Sequence, residues 1–378
     1  MIVVNTHRYG PFTFQTGFEQ SVIEPHQQIV EVANRMLTGM PAYSEVARQL
    51  EKDILVTGVR STDAIEGGDI SDEEATNLLE NPDSARENRE LRIANLGRAY
   101  EQLDSYIKRY ADQAILPFNE QYYRQLHNTV TKDLTDGDYN PGQYRRNLKG
   151  SNTYVGDEGH GGRYKPPQAY DDICNLMKKL AEWSSSEELA AVHPLVRALL
   201  LHYYFERIHP FSDGNGRIGR MVEKAVLMHA GYTGWARALD FYYLQNIDNY
   251  YENFNICRKQ EKTNPKHCNE PFILFGLKGM AETVERLHGR VSQLAEHMVR
   301  LALLGNLLRQ KKINERQYQI LEFLMHRSSR EWTLEVIRTE PWYRALYRNL
   351  SPATRSRDWS GLTESGLVKR VGNTITFK

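Results

Sequence analysis

His209-Pro-Phe-Ser-Asp-Gly-Asn-Gly-Arg-Ile-Gly-Arg220 puts a histidine, a carboxylate, a Gly-Asn-Gly turn and two arginines inside twelve residues. That is more polar chemistry than a connection between helices needs. Upstream, residues 194–208 carry leucines and aromatics at helical spacing and read as a mostly buried helix ending near Ile208. Downstream, residues 218–229 read as a second helix. Between them, Gly214 and Gly216 permit backbone angles denied to other residues, so successive N–H groups can converge on one anion. The positive end of the following helix adds to that attraction.

The side chains of the stretch fit the same chemistry. Asp213 supplies a hard oxygen ligand beside the phosphate position, which suits Mg²⁺, an ion usually held by one or two carboxylates plus substrate phosphates. Arg217 and Arg220 stand three apart and share a helix face, where planar guanidiniums grip phosphate oxygens in pairs. His209, just ahead of the turn, is placed to take a proton from an attacking hydroxyl. Singly, each residue has an ordinary structural reading. Jointly they are the parts of a phosphoryl- or nucleotidyl-transfer site, in which positioning and charge stabilisation supply most of the rate.

The pattern His209-x-Phe211-x-Asp213-Gly214-Asn215-Gly216-Arg217-x-x-Arg220 resembles the full signature of the Fic (Fic/Doc) family. That resemblance implies a mainly α fold, a Fic-type helical bundle with a β-hairpin flap. It implies transfer of AMP from ATP to a Ser, Thr or Tyr hydroxyl of a target protein, with pyrophosphate leaving. In those terms His209 is the general base and Asp213 the Mg²⁺ ligand. The Gly214–Gly216 turn cradles phosphate, Asn215, Arg217 and Arg220 contact phosphates, and Phe211 anchors the loop from beneath.

Further upstream, Thr62-x-x-x-Glu66-Gly67 resembles the inhibitory motif that precedes the core in many Fic proteins. A carboxylate on that helix could pair with Arg220 and occupy the guanidinium that would otherwise hold the γ-phosphate of ATP. Residues 142–167, rich in glycine and alternating around 152–156, read as a β-hairpin or flap, with a mobile surface loop as the ordinary alternative. As a flap it could register a target segment by strand addition so that the modified hydroxyl faces His209. His160, among glycines, reads as a loop residue and not a ligand. Tyr250-Tyr251 matches a tyrosine pair that lies near the nucleotide base in relatives. The segment between Leu244 and Tyr250 is shorter than the family pattern, and an aromatic stripe is as often core.

Around the loop, residues 1–25 read as an irregular or extended lead-in. Helices are expected from 44 to 57 with Ser44 as cap, around 73–80, 87–110 and 119–134, in the core 168–232, and from 271 to 308. Lys311-Lys312 mark a change of character, dividing a Fic part, 1–310 with its core at about 115–260, from a small module, 311–378. Within the module, 317–325, 333–337 and 351–366 read as three helices, and 367–378, alternating around Gly372-Asn373, as a two-stranded wing. This resembles a winged helix-turn-helix. Arg355, Arg357, Lys369 and Arg370 would grip phosphates if residues 313–378 bind DNA. Asp358 and Glu364 dilute that patch, and the Pro341-Trp-Tyr insertion is atypical, so a protein-docking or dimerising role, a homodimer included, stands beside it.

Composition sets outer limits. Lys plus Arg and Asp plus Glu both number 48 in 378 residues, so no overall field recruits nucleic acid or anionic membrane. Three cysteines without metal-type spacing indicate free thiols in a reducing compartment. No apolar run reaches a membrane span and the start lacks a signal-peptide core, so the expected location is the cytoplasm. Two alternatives to AMP transfer remain. One is a DNA-binding regulator whose Fic body senses nucleotide; the other is the same site moving a different nucleotide or phosphoryl group, or removing AMP.

Overall fold

The computed structural model describes residues 1–7, 9–40, 43–148, 151–160, 162–326 and 331–377. Its first residues are more ordered than the irregular lead-in expected for them. β1 (Ile2–Asn5) pairs antiparallel with β2 (Pro11–Phe14), Ile2 opposite Phe14 and Asn5 opposite Pro11. Phe12 and Phe14 are fully buried against Tyr204, and Phe14 also against Trp183, which is what holds so short a hairpin. α1 (Gln20–Thr38) follows, a helix absent from the sequence reading. Pro25 is its sixth residue, inside the helix, where the missing N–H forgoes the hydrogen bond to the Ser21 carbonyl.

α2 (Tyr43–Ile65) continues past the expected end at 57 and delivers Thr62 and Ile65 to the centre of the molecule. α3 (Asp72–Glu80) starts with a complete capping box, Ser71 accepting from the Glu74 N–H while Glu74 accepts from Ser71. α4 (Asn88–Arg109) and α5 (Glu120–Val130) pack on one another, the second capped by Asn119. After them one short 3-10 turn (Glu158–His160) precedes α6 (Tyr170–Ser184). Residues 142–167, the expected hairpin, are closed by one antiparallel bridge, Val155 to Tyr164, rather than by a ladder. Lys149, Gly150 and Gly161 of this stretch lie outside the described residues.

α7 (Glu187–Ala190) is one turn. α8 (Pro194–Ile208) is buried on almost every side and packs against α6 and α9 (Asn215–His229). Because α8 and α9 form a hairpin inside the bundle, with α2, α4 and α5 also on α9, their connecting loop is fixed from several directions. α9 begins at Asn215, three residues before the expected 218. α10 (Thr233–Ala236), α11 (Leu239–Gln245), α12 (Ile247–Thr263) and α13 (Glu270–Arg309) complete the helical run. Two compact units divide the chain, residues 1–288 and 289–378. α13 ends beside Lys311-Lys312, and the units part earlier, within it.

The second unit contains α14 (Glu315–His326), β3 (Glu331–Thr333), α15 (Leu334–Thr339), α16 (Pro341–Leu346), α17 (Pro352–Glu364), β4 (Val368–Val371) and β5 (Thr374–Phe377). Its sheet has the order β3-β5-β4, all antiparallel. The Pro341-Trp-Tyr insertion is α16. Trp342 lies 4.2 Å from Phe323 between ring centroids, and the Trp359 indole donates to the Tyr343 hydroxyl at 2.8 Å. Asp358 is a correction to the sequence reading. It does not dilute a surface patch, because it is 3% exposed and accepts from Arg316 at 2.7 Å, Tyr347 at 2.8 Å and Asn314 at 2.9 Å. Burial works against its charge, but these three donors hold its carboxyl below the usual range.

Candidate active site

His209 closes α8 in the left-handed region, at φ 48°. For a residue with a Cβ this costs about 1 kcal/mol, and such conformations concentrate at functional sites. The contacts that enforce it come from far along the chain. Arg145 donates from Nε to the His209 carbonyl at 2.8 Å, its N–H donates to the Pro210 carbonyl at 2.9 Å, and its Nη2 reaches the Pro167 carbonyl. Within the loop, Asn215 accepts from the Phe211 N–H and donates to the Phe211 carbonyl, both at 2.9 Å. Its side chain is thereby engaged within the loop, and its backbone N–H stands beside it as a donor. That N–H, with those of Gly216 and Arg217, opens a helix and has no carbonyl one turn back.

Phe211 is fully buried and lies face to face with His127, 3.8 Å between centroids and 6° between planes. His127 also grips the loop through hydrogen bonds. The Gly142 N–H donates to Nδ1 at 2.9 Å, which leaves the ring proton on Nε2 to be donated to the Asp213 carbonyl at 3.0 Å. Burial pushes the pKa of His127 down to about 4, the Asp213 carbonyl working the other way. The ring is therefore neutral in the fold but would bind a proton below about pH 6.5 once unfolded. Stability is then complete above 6.5 and falls as pH drops toward 4, with a full cost on the order of 3 kcal/mol at about 1.4 kcal/mol per pKa unit. Compared with the parent, His127→Gln should melt at lower temperature at pH 7.5 and show a flatter dependence of Tm on pH between 4 and 6.5. An unaltered slope would contradict this role.

Asp213 is partly exposed, with Oδ1 accepting from the Gly214 N–H and, at 3.3 Å, from Arg217 Nη2. Among the described residues no cluster of three His, Cys, Asp or Glu side chains could hold a metal. A single carboxylate next to an anion cradle fits an ion that takes most of its ligands from phosphates and water, as Mg²⁺ does. Arg217 is buried and its Nε finds no protein acceptor among the described residues.

Arg220 is also buried, and its partners are those of the upstream motif. Nε donates to Thr62 Oγ1 at 2.7 Å, and Nη2 donates to the Thr62 carbonyl at 3.1 Å and to Glu66 Oε1 at 2.7 Å. Gly67, next along, turns the chain away from α2 with φ 89°. Burial opposes the Arg220 charge, but Tyr250 and Glu66 raise its pKa overall; burial likewise opposes the charge of Glu66, and Arg220 followed by Arg217 lowers it. The Glu66 carboxylate also lies over the first turn of α9, where a Cβ on Gly216 would collide with Oε1. Thus one carboxylate covers both the guanidinium and the glycine of the proposed anion site.

Tyr250 is not a free platform for a base. Its ring stacks on Tyr243 at 4.9 Å, and its hydroxyl lies 3.3 Å from Arg220 Nη1 and 3.1 Å from His202 Nε2. His202 in turn bonds Glu223, which accepts from Tyr243 at 2.6 Å. This buried network holds Arg220 from behind. Tyr251 reaches the Ile65 carbonyl at 3.1 Å and lines, with Glu66, His209, Gly216 and Arg220, a cavity of about 350 Å³. Glu206 lines it too, with Oε2 3.4 Å from His209 Nδ1. The structure therefore gathers His209, Gly216, Arg220, Glu66, Tyr250 and Tyr251 about one cavity and sets Asp213 and Arg217 at the start of α9. His127, Arg145 and Glu206 escaped the sequence reading; only Glu206, one turn before His209, had a positional signal.

The family model described as Fic/DOC family matches residues 117–227. A protein named protein adenylyltransferase Fic from Drosophila ananassae is 28% identical over 222 residues, 56% of this chain and 40% of its own. The protein of the same name from Drosophila erecta is 41% identical over 91 residues, 24% of this chain and 16% of its own. The chain thus spans less than half the length of these relatives. Among solved structures, a Fic family protein from Desulfovibrio desulfuricans aligns over 97% of this chain and 98% of its own, with TM-score 0.59 and 17% identity. A Fic domain containing signaling protein from Bacteroides thetaiotaomicron aligns over 72% of this chain and 97% of its own, with TM-score 0.54 and 18% identity. The fold is shared with these solved structures, and residues 117–227 of the chain carry the match to the Fic/DOC family model.

Proposed function

We propose that the chain is a protein adenylyltransferase that moves AMP from Mg²⁺-ATP to a Ser, Thr or Tyr hydroxyl of a target protein and is held inactive by Glu66. The observation that carries this reading is the Glu66–Arg220 pair at 2.7 Å over Gly216, inside a complete His209–Arg220 loop. His209 takes the proton of the target hydroxyl, whose oxygen forms a bond to the α-phosphorus as the bond to the bridging oxygen breaks and pyrophosphate leaves. The α9 N-terminus and Arg217 steady phosphate charge, and Asp213 would hold Mg²⁺, which neutralises charge on the phosphates when bound. Arg220 would take the γ-phosphate, but Glu66 now occupies it. The test is incubation of the Glu66→Gly variant with ATP in native lysate followed by mass spectrometry of modified proteins. An AMP adduct is expected, whereas a phosphate or UMP adduct would overturn the assignment.

A second reading concerns residues 289–378, for which we propose a winged helix with α17 as the groove-facing helix. The inward turn of Asp358 favours it, since Arg357 on α17 and Lys369 and Arg370 on β4 are exposed without that carboxylate among them. Duplex DNA should then bind with an affinity that falls steeply with salt, and Arg355→Gln with Arg357→Gln should abolish binding. Binding unchanged in that variant would leave the module to protein docking.

A further inference from the structure

Beside the catalytic cavity lies a larger one, of about 780 Å³, walled by residues 163–166 and 168 about the flap bridge, the end of α8, α12 and the β1–β2 hairpin. Its charge is one-sided. Glu261 is its single carboxylate, and that group is committed to Arg207, at 2.8 Å from Nη2 and 3.1 Å from Nη1, with the guanidinium also packed 4.5 Å from the Phe12 ring centroid. Arg163, Lys165, Arg258 and Lys262 remain, and among the described residues none of the four forms an ion pair within the chain. In a sequence whose cations and carboxylates are equal in number, this is a local excess of positive charge among the residues that line the cavity.

The cavity adjoins the catalytic one, since Tyr164, Arg207 and Arg258 line both. Arg258 lies over the Tyr164 ring at 5.3 Å, and its buried Nε has no protein acceptor among the described residues. We propose that this cavity docks an acidic segment of the target protein, Asp or Glu side chains flanking the hydroxyl that reaches His209. The proposal rests on the AMP-transfer reading and narrows its substrate class. A peptide crossing the bridge at Val155–Tyr164 would place its hydroxyl on one side and its carboxylates among Arg163, Lys165, Arg258 and Lys262 on the other. Charge complementarity selects the peptide, because a cavity walled on several sides suits single side chains better than a duplex backbone.

The test is fluorescence anisotropy with the full chain and labelled Ser-centred peptides flanked by Glu, Gln or Lys, in the absence of ATP. The Glu-flanked peptide is expected to bind at least about tenfold more tightly than the others, as a few partly exposed ion pairs would give, and to weaken as salt is raised. Lys165→Glu combined with Lys262→Glu should remove that preference with Tm unchanged, both side chains being exposed. Equal binding of the three peptides, an unaltered preference in the variant, or full displacement of the Glu-flanked peptide by inorganic phosphate would overturn the proposal. Because no transfer is required, a failure of AMP transfer and a failure of docking are read separately.

Discussion

Replacing His209 by alanine should lower the initial rate of AMP transfer by about 10²–10⁴-fold, the contribution of a positioned general base. The expectation follows from the loop's construction. Arg145 and the α8 terminus hold the backbone of His209 in a left-handed conformation, and the ring lines the cavity beside Arg220 and Tyr251. Among the described residues no other imidazole lines that cavity. His127, which stacks on Phe211 of the loop, has both nitrogens engaged by Gly142 and Asp213. Binding of an ATP analogue should survive, since the α9 N-terminus, Arg217 and Arg220 are untouched. Loss of rate together with loss of ATP binding would instead assign His209 a structural role.

The opposite change is expected at Glu66. Glu66→Gly removes the carboxylate from Arg220 and from above Gly216, and transfer should rise by about 10–100-fold, the equivalent of one charged hydrogen bond of about 1.5–3 kcal/mol. Glu66→Gln keeps an acceptor but not the charge and should fall between. Acidification is a poor substitute for either. The carboxyl of Glu66 is held below its ordinary range, so the pair persists above its lowered pKa and is lost only as pH falls through it. Wild-type activity should not rise as pH passes through the ordinary carboxylate range. Transfer that is high in the wild type and unmoved by Glu66→Gly would make the Glu66–Arg220 pair a bystander.

How much of this could be read in the chain depended on how local the chemistry is. Twelve contiguous residues carry the loop, and Thr62 and Glu66 are four apart across the C-terminal end of α2, so both were legible without a fold. The shape of the loop was not, because His127 and Arg145 hold it through contacts with residues more than sixty positions away. Neither has a motif, and a histidine used for its neutral ring looks in sequence like any other. Side-chain direction was hidden for the same reason. Asn215 turns inward to bond Phe211, Tyr250 backs Arg220, and Asp358 leaves the surface for Arg316 and Tyr347. Short elements held by tertiary packing were also missed: the β1–β2 hairpin depends on Trp183 and Tyr204, and α1 shows a proline near its start where a sequence pattern breaks.

The central claim is that Arg220 is shared, held by Glu66 at rest and released to ATP for catalysis. Transfer of label from α-labelled ATP in native lysate, with wild type, Glu66→Gly and Glu66→Gly combined with His209→Ala side by side, tests it most directly. Faint labelling by the first, strong labelling by the second and none by the third is the predicted result. Equal labelling by all three would contradict it.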